Sequence, residues 1–179
     1  MTPDTEIVWP LIGPARHAAN NMAMVLLMNL EATASSLPAE GREGRQVGRA
    51  LQAARAYDTM VRGLLGLLRA EAPAQVKSGT LVADLLPLLA LAANRKLVLD
   101  VAENAILEVT RPRFDAALLR LAMDAAALPM GQGLALHLRG AALRLDWPLE
   151  PGTRDLLAAA GIRAEQDSGG LLLHLPRAG

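Results

Sequence analysis

GPARHAANNMAMVLLMNLEA, residues 13–32, is the stretch on which the reading of this chain turns. From Met22 to Leu30 it is apolar at every position but Asn29. A segment apolar on all sides reads as a helix buried on more than one side, as in a bundle. Ahead of that run stand Arg16, His17, Asn20 and Asn21. His17 and Asn21 are four residues apart and therefore share one side of a helix. An imidazole near the open end of a bundle helix is free to face solvent while the rest of the helix is packed. Pro14 suits a first helical turn, where its missing N–H costs nothing. A helix is therefore expected over residues 14–35. It closes at Ser35, Ser36, Leu37 and Pro38, because proline disfavours helix in the residue before it. Residues 1–10 read as a disordered or loosely docked arm, with Trp9 and Pro10 at its end.

A polar connection over 39–44 leads to a second expected helix, residues 45–72. Val47, Leu51, Ala54, Val61, Leu65 and Leu68 recur in steps of four and three, with Asp58 as the single polar member of the seam. That is a heptad pattern. Two long helices on a short loop pack antiparallel. Their joint apolar surface exceeds what one hairpin buries, so a second copy of the chain is expected to complete a homodimeric four-helix bundle.

Composition narrows the remaining possibilities. The chain has 179 residues with equal numbers of acids and bases, so bulk charge gives no attraction to nucleic acid. Cysteine is absent, which removes disulfides and thiolate metal sites. No spacing of His, Asp and Glu suggests a metal centre. Residues 1–7 carry acids and no base, unlike a secretory leader, and the longest apolar run is too short to span a bilayer. No membrane association and a cytoplasmic location are the expectations. His137 and His174 fall in expected strands and read as sheet residues.

Residues 73–79 read as a linker. Beyond it the pattern becomes mixed: helix over 81–94 with Pro87 inside, strands over 96–101 and 105–109 joined by a turn at 102–104, and helix over 114–128 ended by Pro129 and Gly131. A hairpin of 134–138 and 143–147 through Gly140, a short helix over 153–160, and a last strand pair, 162–166 and 171–175, around Ser168, Gly169 and Gly170 follow. The expected class is α+β: a helical hairpin domain, residues 1–75, and an α/β sandwich, residues 76–179, whose mixed sheet is covered on one face by helices.

This order resembles the core of bacterial sensor histidine kinases, from residue 13 to residue 176. His17-Ala18-Ala19-Asn20-Asn21 looks like the family's phosphoacceptor box, in which Asn or Thr stands four residues after the His. RPRFDAALLRLAMDAAALPMGQG (111–133) looks like its Asn-box helix and following turn, and GGLLLHLP (169–176) like its terminal strand. The departures carry as much information. Asp124 stands where the family's Mg²⁺- and nucleotide-holding Asn is expected. Where the family has an Asp-x-Gly-x-Gly run, this chain reads DWPLEPGTRD (146–155), and the lid is reduced to 148–152. Phosphate cradling needs backbone N–H groups brought close by glycine or by a helix N-terminus, and Pro148 and Pro151 remove donors there.

The second domain is therefore expected not to bind ATP, and the whole is most similar to the dimeric histidine phosphotransferases. The resemblance implies His17 as phosphoacceptor, with Asn21 and Arg16 orienting it or its partner. It implies response-regulator receiver domains as partners, and Mg²⁺ on the receiver with no cofactor of the protein's own. The acid that usually follows the His is Ala18 here, which argues against autophosphorylation. The basic bias of Arg16, Arg42, Arg45, Arg49, Arg55 and Arg62 suits an acidic receiver. The alternative is a non-enzymatic pseudokinase that binds and regulates a kinase or response regulator.

Overall fold

The structure is a computed structural model; it describes residues 3–129, 133–167 and 170–179, with side chains from residue 13 onward. Gly131, Ser168 and Gly169, expected at a helix end and a strand turn, lie outside the described residues. The chain divides into two compact units, Met1–Leu68 and Arg69–Gly179. No described helix is long and apolar enough to cross a membrane.

The first unit is the helical hairpin. Helix α1 runs Pro3–Ser36 and α2 Arg42–Leu67. The arm expected at residues 1–10 is thus helical from Pro3, and Pro10 and Pro14 lie within α1. Pro14 is therefore an interior helix position and not the first turn, and a proline there gives up one i→i−4 hydrogen bond. The heptad reading of α2 is borne out from Val47 to Leu65; the helix expected to run to 72 ends at Leu67, so Leu68 lies past it and is exposed. Val47, Leu51, Ala54, Asp58, Val61 and Leu65 are all at least half-covered, whereas Arg49, Arg55 and Tyr57 between them are exposed. The matching stripe on α1 is Arg16, Asn20, Ala23, Leu27, Leu30 and Ala34. Asp58 sits in that seam with its side chain 15% exposed, paired to Arg62 one turn on at 2.9 Å.

The second unit is the α/β sandwich. Its order is β1 (Ala72–Lys77), α3 (Ser78–Ala92), β2 (Leu97–Asn104), β3 (Ile106–Arg111), α4 (Arg113–Asp124), β4 (Leu134–Gly140), β5 (Ala142–Leu145), α5 (Pro151–Ala159), β6 (Arg163–Asp167) and β7 (Gly170–His174). A five-stranded mixed sheet has the order β2-β4-β5-β7-β6, with β2 parallel to β4 and the other pairs antiparallel. Leu134, Leu136 and Leu138 are buried while Ala135, His137 and Arg139 are not, so the sheet is covered on one face. The core lies between that face and Leu81, Leu85, Phe114, Leu118, Leu121 and Leu157 of the helices. The expected β4–β5 hairpin is present, turning through Gly140 at φ +64.

Two expectations are corrected. Residues 73–79 are not a linker: Ala72–Lys77 is a strand, antiparallel to β3 from Ala72↔Arg111 to Lys77↔Ile106. The strands on either side of 102–104 are also not partners. β2 runs on to Asn104, and only Ala105 separates it from β3, which is too short for a hairpin turn. The chain instead crosses from the large sheet to the two-stranded one. That crossing is tied to the start of α3. Ser78 N–H donates to the Ala105 carbonyl (2.9 Å), Ala105 N–H to Ser78 Oγ (3.1 Å), and Gly79 N–H to Asn104 Oδ1 (2.8 Å).

Candidate functional site

His17 lies fourteen residues inside α1, exposed, on a regular helical backbone. The i,i+4 spacing brings Asn21 to it: the Asn21 side-chain amide and His17 Nε2 share a hydrogen bond of 3.1 Å. Asn21 therefore fixes the ring's orientation on the helix. Arg16 is placed differently. One residue is about 100° of helix, and Arg16 falls half-buried in the stripe facing α2. The structure thus joins His17 to Asn21 and sets Arg16 on another face.

Continuing in steps of three and four, the His17 stripe runs through Asn21, Met24, Met28 and Glu31. Glu31 Oε1 accepts from Arg55 Nη2 of α2 at 2.7 Å, which fixes this edge of α1 alongside the Arg55 edge of α2. Arg62 lies two turns beyond Arg55 on the same edge, toward the His17 end. Met24 and Met28 are 52% and 62% exposed. The edge is therefore polar, with Arg55 and Arg62 each in an ion pair, and carries one apolar strip with the histidine at its end. The opposite edge of the hairpin is a groove of ≈170 Å³, lined by Ala19, Met22, Ala23 and Leu26 of α1 and Ala54, Tyr57, Asp58 and Val61 of α2. The sequence reads Met22, Met24 and Met28 together as bundle core. In one chain all three are exposed, and they divide between the two edges. The signal for the division is their phase against the seam residues.

In the second unit Trp147 and Asp124 are packed inward. The Trp147 side chain is buried and its Nε1–H donates to the Leu121 carbonyl at 3.2 Å. With Leu89, Leu118, Leu121, Ala122, Leu136, Leu143 and Leu145 it encloses a cavity of only ≈10 Å³ between helices and sheet. Asp124 has a 2% exposed side chain. Its Oδ1 lies 3.4 Å from Arg120 Nη2, and Oδ2 is buried without a hydrogen-bond partner. Among the described residues no three of His, Asp and Glu converge as a metal site. His137 pairs with Asp100 and His174 with Glu165, both at 3.4 Å, on the uncovered face of the sheet.

No protein-family model matches this chain, and no curated protein matches it.

Proposed function

We propose that this protein is a histidine phosphotransfer protein that relays a phosphoryl group to or from the aspartates of response-regulator receiver domains, without ATP. The observation that carries the reading is His17: an exposed imidazole on a regular helix, oriented by its hydrogen bond with Asn21. A ring nitrogen attacks the phosphorus of an aspartyl phosphate in line. The N–P bond forms, the P–O bond to the carboxylate breaks, the carboxylate leaves, and the imidazole proton passes to solvent. The reverse step returns the group to another aspartate. Positioning supplies most of the rate in such a transfer, and Mg²⁺ belongs to the receiver. The strip of Met24 and Met28 gives a receiver apolar contact next to His17, because methionine adapts to varied partners.

The test is a mixing experiment with receiver domains labelled on aspartate. The wild type is expected to take up acid-labile, base-stable label, and His17→Ala to take up none while remaining folded. Label on the variant would sink the assignment. Absence of label on the wild type with every receiver would leave the binding-only pseudokinase.

A further inference from the structure

Two thioethers stand in solvent beside His17. Met24 and Met28 follow the histidine by seven and eleven residues, so all three share one side of α1, and the two methionines are 52% and 62% exposed. The helix sets them one turn apart. Polar residues close the strip at both ends: Asn21 on the His17 side, and on the other Glu31, which is held by Arg55. An exposed methionine presents its sulfur to dissolved oxidants. The chain has no cysteine, so no thiolate competes for them. The other described methionines are placed differently. Met22 lines the opposite edge of the hairpin, Met123 is exposed on α4 of the second unit, and Met60 is half-covered.

We infer that Met24 and Met28 are a modification site, and that their oxidation by hydrogen peroxide to the sulfoxide closes the docking strip beside His17. In each step a sulfur lone pair attacks one peroxide oxygen. The S–O bond forms as the O–O bond breaks; sulfur loses two electrons and the peroxide gains them. The proton of the transferred hydroxyl goes to the departing hydroxide, which leaves as water. The product is a polar, chiral group on a side chain that was flexible and apolar. A receiver packing on the strip then meets two S=O dipoles in place of adaptable thioethers, and burying such a group without a hydrogen-bond partner is unfavourable. The hairpin itself is spared, because neither side chain belongs to the half-buried stripe of α1 that faces α2. Methionine sulfoxide reductases reverse the change, which makes it a switch. The switch rests on the reading of His17 as phosphoacceptor; the oxidation chemistry does not.

The test treats the full chain with dilute hydrogen peroxide, maps oxygen gain by peptide mass spectrometry, and measures label uptake from an aspartate-labelled receiver domain. Met24 and Met28 are expected to gain one oxygen each, faster than Met60. Uptake is expected to slow at least about tenfold, from the lost apolar contact of two methionines. Each variant is compared with its own untreated sample. Met24→Leu with Met28→Leu keeps the strip apolar without sulfur and is expected to lose the peroxide effect, whereas Met22→Leu with Met123→Leu is expected to retain it. Protection of both sulfurs to the level of Met60 overturns the inference. So does uptake at an unchanged rate once both are oxidised, a slowing that persists in Met24→Leu with Met28→Leu, or a slowing accompanied by loss of helical circular dichroism. An untreated wild type that takes up no label from any receiver fails the phosphotransfer reading itself, and the switch falls with it.

Discussion

Replacing Trp147 with alanine tests how the α/β unit is held together. The side chain is 2% exposed and is packed between α4 and the five-stranded sheet. A tryptophan buries about 200 Å², which at about 25 cal/mol per Å² is roughly 5 kcal/mol of transfer free energy. Large-to-alanine changes at buried aromatic sites cost about 3–5 kcal/mol. The residual cavity around Trp147 is already only ≈10 Å³, so the wall has no slack into which neighbours can relax. The expected loss is therefore in the upper half of that range, about 4 kcal/mol. Domain stabilities are about 5–15 kcal/mol, so the variant is expected to be folded but fragile. Trp147→Phe keeps most of the packing and removes the bond to the Leu121 carbonyl, for a loss of about 1–2 kcal/mol. Urea unfolding followed by circular dichroism measures both. A loss below about 1 kcal/mol for Trp147→Ala would refute the reasoning, since it would mean that the indole closes nothing.

The Asp115 carboxylate is 1% exposed and held by Arg111 at 2.8 Å, so Arg111→Ala leaves a buried charge unpaired and is expected to cost about 3 kcal/mol in urea unfolding. Burial pushes the Asp115 carboxyl above its usual 3.8, with Arg111 opposing but outweighed. The folded chain then holds this proton more tightly than the unfolded one, so its contribution to stability falls as pH rises from 3.8 through the raised value. A pH series should show Asp115→Asn gaining on the wild type across that window. At Gly170, φ is +124 and an added Cβ would lie 2.4 Å from the Leu145 carbonyl oxygen. Gly170→Ala is expected to cost at least about 2 kcal/mol, whereas Gly140→Ala, at φ +64 in open space, is expected to cost about 1 kcal/mol; thermal denaturation separates the two. If His17 is the acceptor, Asn21→Ala loses one hydrogen bond worth about 1 kcal/mol, and a roughly five- to tenfold slower transfer is expected in single-turnover kinetics.

Local periodicity made most of the fold legible. The heptad from Val47 to Leu65 and the alternation of Leu134, Leu136 and Leu138 each fix a buried face within a few residues. What stayed hidden depends on distant partners. β1 pairs with β3, some thirty residues away, and its own residues Pro73 and Gln75 look like linker because the strand offers only Ala74 and Val76 to the core. The Leu97–Arg111 stretch shows strand character throughout, but nothing local says that its halves belong to different sheets. At the candidate site, the spacing of His17 and Asn21 anticipates their hydrogen bond. The separation of Arg16 from His17 and of Met24 from Met22 could not be seen until the seam fixed the rotation of α1, because a helix apolar on all sides does not announce its own phase.

The proposed independence of the second unit from ATP rests on the turn between β5 and α5. A phosphate-binding turn must keep its backbone N–H groups free and its approach open. Between β5 and α5 this chain spends only residues 146–150, and each end is committed. Asp146 Oδ2 accepts from the Ala135 N–H at 3.1 Å, Trp147 is locked in the core, Pro148 has no N–H, and Pro151 opens α5. Substituting glycines here would not by itself restore a cradle, because the indole would still occupy the space between helix and sheet. Trp147 and the prolines act together: one removes the volume and the others remove the donors. A protein built this way stabilises its α/β unit through its own side chains. On the proposed reading another protein supplies the phosphoryl group to His17, and the exposed strip of Met24 and Met28 beside it is the surface proposed for that donor.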